Sequence, residues 1–361
     1  MFTHFRLSLI MNPSNALHVE ELCVEVKTPY KGAKIDESWV SLVPLTLSGR
    51  LPNVRVFRFT RVNLVMVHSS FYAALRNFVT VRELELRMIE YRDPDQLRRL
   101  ISSLPDLTTL HIREASARLR RAPKVASRPL MKVKLPSLTE LKLNSFISSF
   151  TLMRIVKFLF PPHGQLTSLE ITVDDYLPPA DEEELLKCLS NSLASCDIIL
   201  RRLVLQFRYI PAKTINSEPY PRHSSAVCLS FSVLVEYLNF NCFLSLEELV
   251  LGAFIRDETA EDMEALANTI GSVTSPVISC LSIYFWCAEV DKPPAQGWNI
   301  INDRLSTTFF TAIPAIGFAV MGHGGHLPSK SVESLLPVLT SSGWKHRALT
   351  YNVSPILLNS E

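Results

Sequence analysis

The chain has 361 residues, 47% of them hydrophobic and 20% charged, which is ample apolar material for a core and excludes wholesale disorder. Its 37 basic and 35 acidic residues leave a formal charge of +2, so no global field draws it to nucleic acid or anionic lipid. The seven cysteines are odd in number and contain no C-x-x-C pair, which argues against a disulfide framework or a zinc knuckle and fits free thiols in a reducing compartment.

The N-terminal run MFTHFRLSLIM is apolar but lacks a small-residue cleavage site, so it does not read as a signal peptide. From there the phrase L-x-x-L-x-L recurs, most plainly as LPNVRVFRF (51–59), LPDLTTLHI (104–112) and LPSLTELKL (135–143). Taking the middle apolar residue as a marker gives Leu22, Phe57, Leu84, Leu110, Leu141, Leu169, Leu203, Leu249 and Leu281, with weaker copies at Ile316 and Leu349. The gaps between markers run from 26 to 46 residues, the spacing of a repeat array.

Each copy ends in an apolar-polar-apolar alternation, which predicts a half-buried strand. Between copies the period lengthens. Asp93-Pro94 supplies an N-cap and a proline at the first helical position, and Leu97, Leu100, Ile101 and Leu104 follow on one face. The same pattern predicts helices from Asp181, with Leu185, Leu186, Leu189 and Leu193, and from Asp257, with Met263, Leu266, Ala267 and Ile270 before a terminating Gly271. The acidic runs 181–184 and 257–261 sit in first turns, where they complement the helix dipole rather than mark catalytic carboxylates. Pro105 and Pro136 stop any helix just before the next strand. The longest mainly apolar run, Phe309 to Met321, is shorter than the roughly 20 residues that span a bilayer.

Strand, helix, strand at this period predicts parallel strands joined by crossovers, stacked in chain order. The expected fold is an α/β leucine-rich-repeat solenoid with strands on an inner wall and helices outside; a doubly wound sheet is the alternative. The expected organisation is an N-terminal lead or cap over 1–16, the solenoid over 17–290, and degenerate terminal repeats or a C-terminal cap over 291–361.

No catalytic phrase accompanies the repeat. G-x-S-x-G, G-x-x-x-x-G-K-[ST], H-E-x-x-H and G-x-G-x-x-G are all missing, and His68, His111, His163 and His223 have no partner at ligand spacing. The Gly322-His323-Gly324-Gly325-His326 loop needs no ligand to explain it. No enzyme activity, cofactor or metal is expected, and a soluble protein of the cytoplasm or nucleus follows.

The candidate binding residues come from strand alternation, which turns the polar partner of each buried residue to the inner wall. They are Glu83, Glu85 and Arg87; Thr109, His111 and Arg113; Glu140, Lys142 and Asn144; then Glu170 and Arg202. On the last strong strand they are Tyr284 and Trp286, expected to anchor a partner if open and to lie under a C-terminal cap if not. A basic stretch between the fourth and fifth strands, with Arg118, Arg120, Arg121, Lys124 and Arg128, reads as an exposed loop. It is either a solvated insertion or a weak anion or nucleic-acid contact, and without interleaved aromatics nucleobase stacking is not expected.

The phrases LPSLTELKL, LPDLTTLHI and FLSLEELVL (243–251) resemble the irregular repeats of F-box leucine-rich-repeat proteins, especially the divergent sets of fungi. The segment from Asn12-Pro13 through Leu17 to Leu22 resembles the opening of their repeat region. The resemblance implies a substrate receptor of a cullin-based ubiquitin ligase, with a protein target on the repeats. Only eleven residues precede Asn12, too few for the helical F-box itself, so adaptor binding is expected only if an F-box lies upstream. The alternative is a structural or vestigial repeat protein.

Overall fold

The structure is a computed structural model that describes residues 12–26, 38–117, 138–144, 152, 155–156, 159, 165–173, 179–193, 199–207, 237–238, 240–254, 260–286, 297–322 and 325–326. It divides into two compact units, residues 1–202 with 219–227, and residues 203–218 with 228–361.

In chain order the first unit contains β1 (Glu21–Glu25), α1 (Ser38–Leu47), β2 (Val56–Thr60), α2 (Ser69–Leu75), β3 (Glu83–Arg87), β4 (Glu90–Tyr91), α3 (Pro94–Ser102), β5 (Thr109–Arg113), β6 (Ser116–Ala117), β7 (Glu140–Asn144), β8 (Ser168–Val173) and α4 (Pro179–Leu193). Strands β1, β2, β3, β5, β7 and β8 are neighbours in that order, every pair parallel. Their register lines up Leu22, Phe57, Leu84, Leu110, Leu141 and Leu169 in one row, and Val24, Phe59, Leu86, Ile112, Leu143 and Ile171 in the next. Both rows are buried, as are Val54, Val81, Leu107, Leu138 and Leu166, each three residues ahead of its marker. This is the α/β leucine-rich-repeat solenoid that the spacing predicts.

Helices pack on the apolar side of these strands. Phe71 of α2 meets Phe59 with ring centroids 5.8 Å apart, and Phe78 meets Phe57 edge-on at 4.8 Å. Helix α3 begins where expected: the Asp93 side chain accepts the Gln96 N–H at 3.1 Å, and Gln96 Oε1 in turn accepts the Arg92 N–H at 2.7 Å. Leu97, Leu100, Ile101 and Leu104 are all buried.

The recurring threonine of the L-T-x-L phrase acts at the start of the strands. The amides of Thr108 and Thr109 both donate to the Arg82 carbonyl, those of Thr139 and Glu140 to that of Thr108, and those of Thr167 and Ser168 to that of Thr139. The hydroxyls of Thr108, Thr139 and Thr167 donate to the same three carbonyls at 3.1, 3.3 and 3.0 Å. Each strand start thereby fastens to the one before it.

The strand ends carry a second ladder that the sequence does not announce. Arg61, Met88 and Glu114, each one residue past a strand, are left-handed, with φ of 57°, 55° and 56°. Their amides donate to the carbonyls of Arg87, Arg113 and Asn144 at 2.9, 2.8 and 3.1 Å, which closes off the end of the next strand. The chain then buries Val62, Ile89 and Ala115 and makes a small parallel ladder from Asn63 through β4 to β6.

The second unit takes β9 (Arg202–Phe207) from its second residue onward, then β10 (Glu248–Phe254), α5 (Ala260–Gly271), β11 (Cys280–Trp286), α6 (Trp298–Leu305), α7 (Thr308–Thr311), β12 (Ala315–Gly322) and β13 (Gly325–His326). Its strands are again adjacent in chain order, β10, β11 and β12 parallel with Leu249, Leu281 and Ile316 in register, and the short β13 pairs antiparallel with β12. Gly271 is not a left-handed stop, as the terminating position suggests. A Cβ there would lie 2.9 Å from the Arg304 guanidinium, the movable end of a long side chain from α6. The marker Leu349 and most of the expected C-terminal cap lie outside the described residues.

Two stability outcomes follow. Leu141→Ala removes a side chain from the middle of the buried row and should cost about 2–5 kcal/mol in chemical denaturation; a change near zero would take Leu141 out of the core. Met88→Gly should raise stability by up to about 1 kcal/mol, because Met88 is 37% exposed and left-handed and a glycine relieves that conformation with little lost packing. A loss of stability would show that the methionine side chain matters more than its backbone.

Candidate functional site

Opposite the apolar rows, the first-unit strands present three straight rows of side chains. Register fixes them as Glu21, Val56, Glu83, Thr109, Glu140 and Ser168; then Cys23, Arg58, Glu85, His111, Lys142 and Glu170; then Glu25, Thr60, Arg87, Arg113, Asn144 and Thr172. Those on β2 to β7 are half-buried except for Arg87, which is exposed. This is where the structure places Glu83, Glu85, Arg87, Thr109, His111, Arg113, Glu140, Lys142, Asn144 and Glu170, with Arg202 at the head of β9 beside them.

Charge contacts cross the strands. Arg58 reaches Glu21 on one side and, through Nε, Glu85 at 2.7 Å on the other; the second is an ion pair rather than an aligned hydrogen bond. Arg61 holds Glu25 at 3.1 Å, and Glu170 accepts from Arg202 at 3.2 Å and from Asn144 at 3.3 Å, whereas Lys142 holds Glu140 at 2.6 Å along β7 itself. Pairs this exposed contribute about 0–1 kcal/mol each, so the lattice orders the surface more than it stabilises the fold.

His111 sits in the middle row, between Glu85 and Lys142. Burial, with the Lys142 ammonium second, holds its imidazole below the ordinary histidine range, against the opposing pull of Glu83, Glu140 and Glu85. Its Nε2 is buried without a hydrogen-bond partner. Cys23 is an exposed residue on β1, and partial burial of its thiol, with Glu25 and Glu21 adding to it, raises the thiol pKa and disfavours the thiolate. Among the described residues no group of three His, Cys, Asp or Glu is arranged to hold a metal ion.

In the second unit the side of the sheet that carries Tyr284 is covered. On the corresponding side of its sheet Val204, Val250, Ser282 and Tyr284 are 4%, 3%, 2% and 5% exposed, and Val204, Val250 and Tyr284 form one cluster. Tyr284 is therefore a buried side chain and not an open anchor. Alternation fixes the side of the sheet to which a residue points but not whether that side is covered. The Trp286 side chain and the basic stretch with Arg118, Arg120, Arg121, Lys124 and Arg128 lie outside the described residues. Sequence reading missed the left-handed rim at Arg61, Met88 and Glu114, since no glycine marks it. Among the described residues no helix is long and apolar enough to cross a membrane.

No protein-family model matches the chain, and no curated protein does. Solved structures with some likeness include the leucine-rich-repeat-containing protein LegL7 from Legionella pneumophila, at 11% identity and TM-score 0.36, covering 88% of this chain and 98% of that one. An internalin from Listeria monocytogenes is 13% identical at TM-score 0.26, covering 84% and 88%. A leucine-rich-repeat protein of Leptospira interrogans is 11% identical at TM-score 0.23, covering 91% and 97%.

The depressed His111 predicts a direction with pH. The folded state binds the imidazole proton more weakly than the unfolded chain does, so this residue costs no stability above about pH 6.5 and progressively more as the pH falls below it. His111→Gln should therefore lose less stability than the parent between pH 7.5 and pH 5 in parallel denaturant titrations. Equal losses would remove His111 from the acid response.

Proposed function

We propose that this protein is a non-enzymatic recognition scaffold that binds another protein on the open face of strands β1 to β8. The observation that carries this reading is the row geometry: mostly polar side chains from six strands stand in register, those on β2 to β7 largely half-exposed and several ion-paired, on a backbone fastened at both strand ends. Such a surface is pre-organised, so a partner need not pay the full entropy of ordering it. Its chemistry offers charges and hydrogen bonds without an activated nucleophile or a metal site among the described residues.

In its narrower form the proposal is the substrate-binding repeat region of an F-box-type ubiquitin-ligase receptor, acting in the cytoplasm or nucleus. The repeat phrases alone support that form. The adaptor of the cullin ligase would join only through an F-box upstream of Asn12.

Proximity labelling in cells, followed by affinity measurement with the purified partner, tests both forms. Lys142→Glu on the open face should weaken the complex by about tenfold or more, because removing one partner of an interfacial charge contact costs 2 kcal/mol or above. Lys187→Ala on α4, an exposed position whose ammonium pairs with Glu183 in its own helix, should leave it unchanged. Equal effects would move the interface off this face. Cullin-ligase components among the labelled proteins would favour the narrower form, and a partner whose ubiquitylation ignores this chain would end it.

A further inference from the structure

Most charged residues on the open face stand beside an opposite charge; the third row breaks the pattern. Arg87 on β3 and Arg113 on β5 are direct register partners, their backbones about 4.8 Å apart, and like charges facing each other across two strands are destabilising. The acids around them are already engaged. Glu85 is held by Arg58 at 2.7 Å, Glu25 by Arg61 at 3.1 Å, and Glu114 by the Nε of Arg113 at 3.2 Å. The guanidinium of Arg87 is exposed and has no ion-pair or hydrogen-bond partner among the described residues.

The row continues with neutral groups, Thr60 before Arg87 and Asn144 after Arg113. The backbone beneath is fixed, since the carbonyls of Arg87 and Arg113 accept from the left-handed Arg61 and Met88 at 2.9 and 2.8 Å. Two arginines thus leave adjacent, fixed backbone positions at the strand ends, and Arg113 commits only its Nε to Glu114.

We propose that Arg87 and Arg113 form a two-guanidinium grip for a side-chain carboxylate on an acidic segment of a protein partner. This rests on the reading of the open face as a protein-recognition surface. A carboxylate between the forks cancels their mutual repulsion and gains charge-assisted hydrogen bonds from both, which a pair of lysine point charges would not reproduce. The surroundings set the class of occupant. The nearest acids are Glu85, two residues before Arg87, and Glu114, next to Arg113, while Glu83 and Glu140 lie farther down β3 and β7; a polyphosphate backbone running along the strands meets those further anions, whereas one carboxylate at the strand ends reaches the two cations first.

The probe is a short fluorescein-labelled peptide of alternating glutamate and glycine, read by fluorescence anisotropy at low ionic strength. The matching lysine-glycine peptide is a second arm, and inorganic phosphate is a third, as competitor. The glutamate peptide should bind, weaken with added salt, and lose about tenfold or more in affinity with Arg87→Glu, the size of a lost pair of charged hydrogen bonds. The same substitution should raise the melting temperature of the free protein, because it places an acid opposite Arg113; that rise also shows that the variant folds. Arg87→Lys should keep part of the binding.

Unchanged peptide affinity in Arg87→Glu overturns the proposal, as does equal binding of the lysine peptide. Inorganic phosphate that displaces the peptide completely at equal charge concentration overturns the carboxylate assignment. If the cellular partner is lost with Lys142→Glu but held normally by Arg87→Glu, the grip fails while the open-face reading stands. If both variants bind the partner as the parent does, the open-face reading fails first.

Discussion

The alignment of the two buried rows, from Leu22 and Val24 on β1 to Leu169 and Ile171 on β8, is the constraint on which the rest of the first unit depends. A strand that slipped by one residue would turn its leucines to water and its charges into the core. Each buried leucine or phenylalanine is worth about 1.5–3 kcal/mol, while an exposed ion pair contributes about 0–1. Register is therefore decided by the apolar side. The charged rows inherit their straightness from it, and residues such as Glu85 and Lys142 were free to be chosen for another purpose.

The two hydrogen-bond ladders serve the same alignment from the ends. A buried or half-buried backbone amide needs a partner, and here the partner is supplied by an adjacent strand: one carbonyl takes two amides and, at three positions, a threonine hydroxyl. At the far end the left-handed turn costs a non-glycine residue about 1–2 kcal/mol, and its amide bond to the next strand offsets part of that. Because the geometry is imposed from outside the residue, the position accepts Arg61, Met88 or Glu114 alike. Side-chain identity at the rim is thus decoupled from backbone shape.

This explains what could be read from the sequence. The strand markers were legible because period-2 alternation and the L-x-x-L-x-L phrase report the same burial, and α3 because Asp93-Pro94 and the 97-100-101-104 stripe agree on its start and face. Helix α1 was not legible: it carries Pro44 inside and exposes Leu42 and Leu45 while burying Val40, Val43 and Leu47, so its apolar residues mark no single face. The left-handed residues were hidden because their conformation comes from a partner strand rather than from their own chemistry. Of the candidate site, the sides to which Glu83 through Glu170 point were legible, since alternation dictates them. Which charges find partners was not, because cross-strand pairing depends on register, and register is a property of neighbouring repeats.

Tyr284 shows why the chemistry of a sheet side decides whether it can serve recognition. Val204, Val250 and Tyr284 form a buried apolar cluster in the second unit, and a side built from such residues is costly to leave wet. The first unit puts Glu, Arg, Lys and His at the equivalent positions on β2 to β7, where most stay half-exposed and hydrated. A hydrated charged face has no aromatic anchor to bury, so its affinity must come from a few well-aligned charged contacts, and its main gains are in association rate and discrimination. Under the proposed reading, binding by this face is sensitive to salt and to the sign of single residues, and arginine is the side chain best suited to concentrate the energy there, because its fork fixes direction as well as charge.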